Sequence, residues 1–492
     1  MTSTGTIRRT AAAMLVALLA ACTPPDPGAV MVTVIGEAPD PAALSAAPDN
    51  AAQAVLIGAT AQGLVRFDPA GQIEPGLAER WNVSNDGLSY IFRLSTGVWP
   101  GDRKVTAADV ARLLRRQFAA AARNPLRDTV GAVAEVVAMT DRVLEIRLIA
   151  PRPNLLQLLA QPDFALVRNG VGSGPLQIDP PLLTKPADPA LLLSRALVVP
   201  DGDPPASEHV RLAAMPAEAA VKAFVAGTSE VVLGGTFADL GVVLGAGVRR
   251  SSLRFDPVLG LFGLMPDRAD GPLADPAVRA LLSAAIDRSA LVTSLGVPDL
   301  QPRASLLQPG LDGVGSPVVP VWATTPLDQR RAALLATART LFKDKPPTLL
   351  IALPDGPGAA ILLARLRADW GPLGVTLNPA VARQPADLRL VDEVAPSSSP
   401  AWFLRQFRCA FARVCVAEAD VALDDARSTL IATQRDAQFG EAERILSAAN
   451  VFMPLAAPVR WSLTARTITN FVENRFARHP LTNLRDRPQR RD

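Results

Sequence analysis

Residues 74–110 read EPGLAERWNVSNDGLSYIFRLSTGVWPGDRKVTAADV, and this stretch decides the local fold. Two alternating runs flank Asp86 and Gly87, a pair typical of a tight turn between antiparallel strands. In the first run, Trp81 and Val83 share one face. The second run places a larger apolar set on one face: Leu88, Tyr90, Phe92 and Leu94. The pattern predicts a β-hairpin, and it favours a core role for these aromatic residues over a ligand-binding wall.

The end of the same stretch predicts the start of a helix. Thr106 is a favourable N-cap residue, and Asp109 stands at the third helical position, a weak form of the capping box. Apolar residues then recur on one helical face: Val110, Leu113, Leu114 and Phe118. Because Pro125 after Asn124 cannot continue a helix, we expect this helix to end there.

The rest of the chain alternates between strand and helix patterns. A strand is expected at 31–36 and a strand pair within 131–151. Residues 348–380 read as strand, helix and strand, an α/β unit. Helices are predicted over 272–292 and 426–449. Since 492 residues are too many for one hydrophobic core, several mixed α/β domains are expected.

The N-terminus has the pattern of an export signal. Residues 1–21 combine two arginines, a short apolar segment and small residues before Cys22, typical of a signal peptide and too short to span a membrane. Leu-Ala-Ala-Cys at the end resembles the bacterial lipobox, whose cysteine is lipid-modified. An ordinary signal peptide with an incidental cysteine is the alternative. Residues 22–30 would be the lipidated cysteine and a proline-rich tether, so we expect a lipid anchor on the periplasmic or cell-surface side of a membrane.

Two further cysteines, Cys409 and Cys415, lie close together in the sequence. In an oxidising compartment such a pair is typical of a disulfide, and two free buried thiols are the alternative. The chain has two histidines, His209 and His479, far apart and in unrelated contexts. We therefore expect no metal site and no cofactor.

Charge and motifs argue against two function classes. The formal net charge is only +3, and the locally basic end, 485–492, is interpreted as a solvated tail, so no nucleic-acid binding is expected. The sequence has no Gly-x-Ser-x-Gly and no His-Glu-x-x-His motif. A secreted hydrolase is therefore disfavoured, and we predict neither catalytic residues nor an enzyme activity.

Four stretches together resemble the peptide/nickel class of extracytoplasmic solute-binding proteins of ABC transporters, family 5, the oligopeptide- and dipeptide-binding type. Residues 74–110 match the family signature of Gly-Leu-Ala, Trp, Asp-Gly, Tyr-x-Phe-x-Leu and Thr-Ala-x-Asp-Val. VGSGPL (171–176) resembles Gly-Thr-Gly-Pro-Tyr, and 272–292 contains the Val-Arg and Ala-x-Asp-Arg of a family helix. FMPLAAP (452–458) resembles the return strand. The order and spacing of these stretches fit from residue 31 to about residue 485.

The resemblance implies an α/β, two-lobed periplasmic-binding-protein fold, type II-like, with an extra subdomain inserted in the first lobe. Lobe I would comprise 31–58, 168–258 and 462–492, the inserted subdomain 59–167, and lobe II 259–461. A small-molecule or peptide ligand would lie between the lobes, and the closed form would dock on ABC permease subunits. The other expected partner is the membrane, reached through the lipid anchor, and the protein is expected to be a monomer.

The chain departs from the family where relatives bind a peptide's ammonium group. An acid is expected there in Asp-Tyr-x-x-Pro, but residues 396–399 read Pro-Ser-Ser-Ser. Because a buried ammonium without a charged partner is costly, Asp392 or Glu393 is predicted to substitute, unless both are solvated loop acids. Ser397 and Ser398 could serve a hydroxyl- or amide-bearing ligand, although serine-rich loops are also ordinary linkers.

Two further residues are candidates for ligand contact. Glu37 follows the first predicted strand, and relatives line the cleft from that loop; the alternative is an exposed acid. Trp402 could stack on a ligand or pack between the lobes. The sequence thus predicts a lipid-anchored substrate-binding component of an ABC importer for a peptide-like or other small polar solute. A degenerate family member acting as a non-transport scaffold lipoprotein is the alternative.

Overall fold

The computed structural model describes residues 28–101, 103–179, 190–198, 206–343, 345–381 and 384–486. The predicted signal peptide, Cys22, most of the tether and the end of the basic tail lie outside these residues. Within the described part of the chain, no helix is both long enough and apolar enough to cross a membrane.

The described chain alternates between helices and strands. The α-helices are α1 (Ala51–Thr60), α2 (Ala107–Phe118), α3 (Leu155–Leu159), α4 (Ala217–Val225), α5 (Leu240–Gly245), α6 (Pro276–Ala285), α7 (Arg288–Leu295), α8 (Leu327–Phe342), α9 (Pro357–Trp370), α10 (Pro400–Arg405), α11 (Ala417–Ser428) and α12 (Ala432–Ala448). The strands are β1 (Val30–Ile35), β2 (Val65–Phe67), β3 (Ile73–Pro75), β4 (Ala78–Val83), β5 (Ser89–Leu94), β6 (Val98–Trp99), β7 (Arg103–Lys104), β8 (Val133–Ala138), β9 (Val143–Leu148), β10 (Val167–Arg168), β11 (Val171–Gly172), β12 (Gln177–Ile178), β13 (Leu191–Leu197), β14 (Ala206–Met215), β15 (Val231–Thr236), β16 (Leu253–Phe255), β17 (Gly260–Pro266), β18 (Thr348–Ala352), β19 (Thr376–Pro379), β20 (Leu388–Val394), β21 (Met453–Ala456) and β22 (Arg460–Thr464).

The predicted hairpin is confirmed. β4 and β5 pair antiparallel, with Trp81 opposite Phe92 and Val83 opposite Tyr90. Phe92 and Tyr90 are buried, and the Tyr90 hydroxyl donates a hydrogen bond to the Arg152 carbonyl at 2.8 Å. With β9 and β8 the hairpin forms a four-stranded sheet in the order β4-β5-β9-β8. The aromatic residues of the opening stretch are therefore core residues.

Two larger sheets form the body of the molecule. The first has seven strands in the order β12-β13-β14-β1-β15-β22-β16, with β1 parallel to both of its neighbours. The second has five strands in the order β19-β18-β20-β17-β21, with β18 parallel to β19 and β20. The chain passes between these sheets after β16 and again after β21. Two short crossings therefore join two lobes, a connection that permits hinge motion.

The hydrophobic cores divide the molecule in a different way. One core lies around the seven-stranded sheet and another around the five-stranded sheet. The third joins the inserted four-stranded sheet to α10, α11 and α12, since Phe92, Phe403 and Phe439 belong to one buried cluster. The inserted sheet therefore packs against helices that the sequence assigns to lobe II, and the predicted domain boundaries stay a prediction.

Three predicted helices differ from the observed ones. α2 ends at Phe118 and not at Asn124; residues 119–124 bury no side chain, so no core packing there offsets the cost of continuing the helix. The predicted helix over 272–292 is divided into α6 and α7, since Asp287 starts a new helix by accepting a hydrogen bond from the Ala290 amide at 2.9 Å. The helix predicted at 426–449 corresponds to α12, which begins at Ala432, and residues 426–428 belong to the end of α11.

The glycines of the VGSGPL stretch have a packing role. A Cβ atom at Gly172 would lie 2.4 Å from the Thr60 carbonyl oxygen, and one at Gly174 would lie 2.4 Å from the Thr60 carbonyl carbon. These two positions accept only glycine without a shift of α1, because the backbone itself is the obstacle.

Candidate ligand-binding cleft

A cavity of about 970 Å³ lies where the lobes and the inserted subdomain meet. The ends of β15 and β22 form its wall on the first lobe, and the end of β20 with the segment up to Phe411 forms its wall on the second. The inserted subdomain contributes residues 160–163 and the loops around β2. A cavity of this size at a domain interface is large enough for a small-molecule or short-peptide ligand.

Two adjacent acids at the end of β20 have different surroundings. Successive side chains of a strand point to opposite faces, so Asp392 and Glu393 diverge. Arg460 binds Asp392 through Nη1 at 2.8 Å from Oδ1 and through Nη2 at 2.9 Å from the Asp392 carbonyl. Glu393 lines the cavity, and Asp392 does not. Among the described residues, no hydrogen bond or ion pair engages the Glu393 carboxylate.

The electrostatic environment of Glu393 suits a cationic ligand group. Its side chain is exposed to the cavity, but protein encloses that cavity on several sides. Burial raises the pKa of Glu393, the Arg389 charge opposes this rise, and the Asp392 charge adds a smaller increase. A carboxylate that is desolvated but not paired gains from a cation placed beside it. Of the two adjacent acids, Glu393 is therefore the one whose carboxylate faces the cavity without a partner among the described residues.

The cavity also contains charged groups that belong to the first lobe and the inserted subdomain. Burial raises the pKa of Asp163 and lowers the pKa of Arg478, and each charge favours the ionised form of the other. Arg478 Nε donates to Gln161 Oε1 at 3.2 Å. His479 Nε2 lies 3.1 Å from Asp256 Oδ2, a nearly buried contact. Both signs of charge are thus present in the cleft.

Five phenylalanine and tryptophan side chains line the cavity: the stacked pair Phe67 and Phe476, and Trp461, Trp402 and Phe411. Trp461 is buried and its Nε1 donates to the Thr236 carbonyl at 2.9 Å. Trp402 is also buried and packs edge-on against Phe403, with ring centroids 5.0 Å apart, so only a small part of its ring reaches the cavity. Phe411 is half exposed and carries the Arg405 guanidinium over its ring at 4.8 Å. Phe411 therefore offers the larger free aromatic surface, a residue that the sequence reading did not select.

The other predicted ligand residues, Glu37, Ser397 and Ser398, are not among the residues that line this cavity, and their role in binding stays a prediction. Ser398 is buried, and its amide donates to Gln157 Oε1 at 2.9 Å. Ser397 is buried beside it, with its Oγ 3.4 Å from the Ser399 amide. Ser398 thus holds the loop against the inserted subdomain, whereas the hydrogen bond of Ser397 stays within the loop itself. Glu37 is an exposed acid after β1.

The other predicted site features concern the cysteines and metal ions. Cys409 and Cys415 form a disulfide with a Cα–Cα distance of 5.1 Å. The loop that it closes carries Phe411, so the disulfide restrains one wall of the cleft. In the part of the chain that the structure describes, no group of three or more metal-ligating side chains could hold a metal ion.

Comparison with known proteins identifies the family. The family described as bacterial extracellular solute-binding proteins, family 5 Middle, matches residues 72–393. This range runs from the inserted sheet to Glu393 and covers more than half of the chain. The chain belongs to this solute-binding protein family. Its relatives include "Di/tripeptide-binding protein 2" of Pseudomonas aeruginosa, which is 25% identical over 474 residues and covers 83% of this chain and 86% of the relative.

Solved structures of similar fold confirm the predicted two-lobed fold of this family 5 protein. Haemophilus influenzae OppA in complex with the peptide RPPGFSPFR has a TM-score of 0.77 at 16% identity, covering 94% of this chain and 99% of that chain. The murein tripeptide binding protein MppA of Escherichia coli has a TM-score of 0.76 at 19% identity, with 92% and 97% covered.

Several functional residues escaped the sequence reading because their partners are distant in the chain. Arg460 forms an ion pair with Asp392 and not with Glu393, yet it is 68 residues from Asp392 in the sequence. Arg478 and Asp163 meet in the cavity although they are far apart in the sequence. No local motif marks these residues. The position of Arg460 at the start of β22, directly after the second crossing between the lobes, is the one local feature that marks it.

Proposed function

We propose that this family 5 protein binds a peptide-like solute in the cleft and that Glu393 takes the solute's ammonium group. The observation that carries the proposal is the Glu393 carboxylate, which faces a cavity of about 970 Å³ and has no hydrogen-bond or ion-pair partner among the described residues. The family's usual acid is absent three residues further on, where Pro396 stands. Glu393 supplies the same charge from the preceding strand.

The rest of the cleft supports a short zwitterionic solute. Arg478 offers a guanidinium to a carboxylate, and arginine is well suited to that partner because it can donate two parallel hydrogen bonds. Phe411 and the edge of Trp402 offer apolar surface for a side chain. The names of the similar proteins refer to di- and tripeptides, an oligopeptide complex and a murein tripeptide. These names agree with a short peptide or a peptide-like molecule as ligand.

We further propose that the protein is the receptor of an ABC importer, acts as a monomer and is held by a lipid on Cys22. Ligand contacts to both lobes would shift the hinge equilibrium toward a closed form, and that form would dock on the permease. ATP hydrolysis by the permease complex in proteoliposomes should rise when ligand-loaded protein is added. Replacement of Cys22 by alanine should release the protein from the membrane fraction, and an unchanged distribution would contradict the anchor.

Thermal shift measurements with a peptide panel test the binding function. The panel contains free di- and tripeptides, each with its N-acetylated form, together with opines and sugars. A ligand that binds only the folded state raises the melting temperature, so we expect a shift with free peptides and a smaller one with acetylated forms. Absence of any shift, together with no co-purified solute by native mass spectrometry, would contradict the proposal and favour the scaffold alternative.

A further inference from the structure

A second cavity of about 420 Å³ lies apart from Glu393, between the inserted subdomain and the helices of lobe II. The subdomain contributes residues 151–155 and 128–129, and lobe II contributes the region from α10 to α12. Arg405 and Phe411 border both this cavity and the cleft. The stacked pair forms a partition between them, since the guanidinium lies over the ring.

Three arginines in this second cavity, Arg152, Arg427 and Arg435, are called here the arginine triad. Arg152 Nη2 donates to the Arg427 carbonyl at 3.0 Å, and its Nη1 donates to the Pro151 carbonyl at 3.0 Å. Arg435 Nη1 donates to the same Pro151 carbonyl at 3.4 Å, and Arg427 Nη2 donates to the Gly131 carbonyl at 3.4 Å. Neutral carbonyl oxygens thus hold the guanidinium groups in place.

The members of the triad repel one another. Burial lowers the pKa of Arg152 to about 10, and the positive charges of Arg427 and Arg435 contribute to this fall. Only 12% of the Arg435 side chain is exposed to solvent, so water does little to screen the repulsion. Three like charges gathered around one cavity are unfavourable unless an anion joins them.

The acids on the walls neutralise this charge only in part, since Asp128 is shared among Arg127, Arg405 and Arg427. Asp128 binds Arg405 at 3.3 Å, and Asp312 accepts a hydrogen bond from Asn154 Nδ2 at 2.6 Å. Asp436 approaches the triad most closely, at 3.7 Å from the Nε of its sequence neighbour. The lining contains five arginines and three aspartates, so the cavity as a whole is positive.

We propose that the second cavity is a binding site for a small oxyanion, a carboxylate or phosphate compound. The arginine triad would donate charge-assisted hydrogen bonds to its oxygens, and the planar guanidinium groups match carboxylate and phosphate geometry. Leu158, Leu423 and Phe439 line the same cavity and would cover the apolar part of the anion. A bound anion would join the inserted subdomain to α11 and α12, because Arg152 lies in the subdomain, Arg427 in α11 and Arg435 in α12.

Isothermal titration calorimetry with citrate and with inorganic phosphate tests this site at constant ionic strength. We expect at least one probe to bind the wild-type protein. In the double variant Arg427→Gln/Arg435→Gln, affinity should fall by about tenfold or more, since a hydrogen bond to a charged group contributes about 1.5–3 kcal/mol. The control, Arg112→Gln/Arg444→Gln, removes the same charge from two exposed surface ion pairs and should bind like wild type.

The single variant Arg435→Gln controls for misfolding, because the contacts that it loses are long and therefore weak. They are the hydrogen bond to the Pro151 carbonyl at 3.4 Å and the ion pair with Asp436 at 3.7 Å. It should fold and show a partial loss of anion affinity. Absence of binding by both probes, or an equal loss in the surface control, would overturn the proposal. Glu393→Gln should keep anion affinity while it loses the peptide, so failure of the two proposals can be distinguished.

Discussion

The inserted sheet and the end of β20 differ in how completely their side chains are satisfied. In the inserted sheet, Phe92 is fully buried and the Tyr90 hydroxyl has its hydrogen-bond partner. At the end of β20, Asp392 is paired with Arg460, but Glu393 beside it has no partner among the described residues. The inserted sheet buries its aromatic rings and pairs its buried hydroxyl group, whereas the end of β20 has one carboxylate without a partner.

This difference separates structural from functional residues. A carboxylate that faces the cleft without a partner makes no ion pair for the fold to lose, and the proposed function gives it a ligand's ammonium group as partner. Phe92 and Asp392 should therefore lower stability when they are replaced, and Glu393 should not. The predictions below follow that contrast from the largest expected effect to the smallest.

Phe92→Ala should give the largest loss. It removes a fully buried ring from the core that joins the inserted sheet to α10–α12, and we expect a loss of about 3–5 kcal/mol in the free energy of unfolding. Denaturant titration followed by circular dichroism measures this. Ile91→Ala, on the solvent face of the same strand, is the matched control and should cost under about 1 kcal/mol. Equal losses in the two variants would contradict the assignment of Phe92 to the buried face and Ile91 to the solvent face of β5.

Asp392→Ala should give an intermediate loss. It leaves the Arg460 charge without its carboxylate, at a site where both side chains keep only about a sixth of their surface exposed. Burial raises the pKa of Asp392 although Arg460 opposes the rise, so desolvation offsets part of the pair's gain; the loss of about 2 kcal/mol that we expect comes from the Arg460 charge left unpaired. Asp270→Ala, which breaks the exposed pair with Arg268, should cost less than about 1 kcal/mol. If Asp392→Ala loses no more unfolding free energy than the Asp270→Ala control, Asp392 has no structural role.

Glu393→Gln should have the smallest effect on stability and the opposite sign. Because burial raises the pKa of Glu393 in the folded protein, stability is lost as pH rises from the unfolded pKa, about 4.3, through the raised folded pKa. The variant lacks this loss, so the ligand-free protein should melt at a higher temperature than wild type at pH 7. The difference should vanish below about pH 4. A lower melting temperature at pH 7 would mean that a partner already engages the carboxylate.

The hairpin could be predicted from the sequence because its determinants are local. The alternation of apolar residues, the Asp86-Gly87 turn and the Thr106 N-cap act over a few residues, and each is found in the structure. Helix ends were less predictable. Whether α2 continues past Phe118 depends on core packing at residues 119–124, and that depends on the tertiary fold.

The cleft could be predicted only in part. The sequence placed the search at residues 392–402, and two of the candidates there, Glu393 and Trp402, line the cavity. The sequence does not show which of the two adjacent acids is paired, because the partner of Asp392 is Arg460 on a different strand. Nor could it show that Ser398 binds Gln157 of the inserted subdomain, 241 residues away in the chain.

The central claim is that Glu393 takes the ammonium group of the solute. Its most direct test is isothermal titration calorimetry with the best-binding free peptide of the panel and its N-acetylated form, on wild type and on Glu393→Gln. We predict that wild type prefers the free peptide by about tenfold or more and that the variant has lost this preference. A preference of equal size in both proteins would contradict the account, as would equal affinity of wild type for the two peptides.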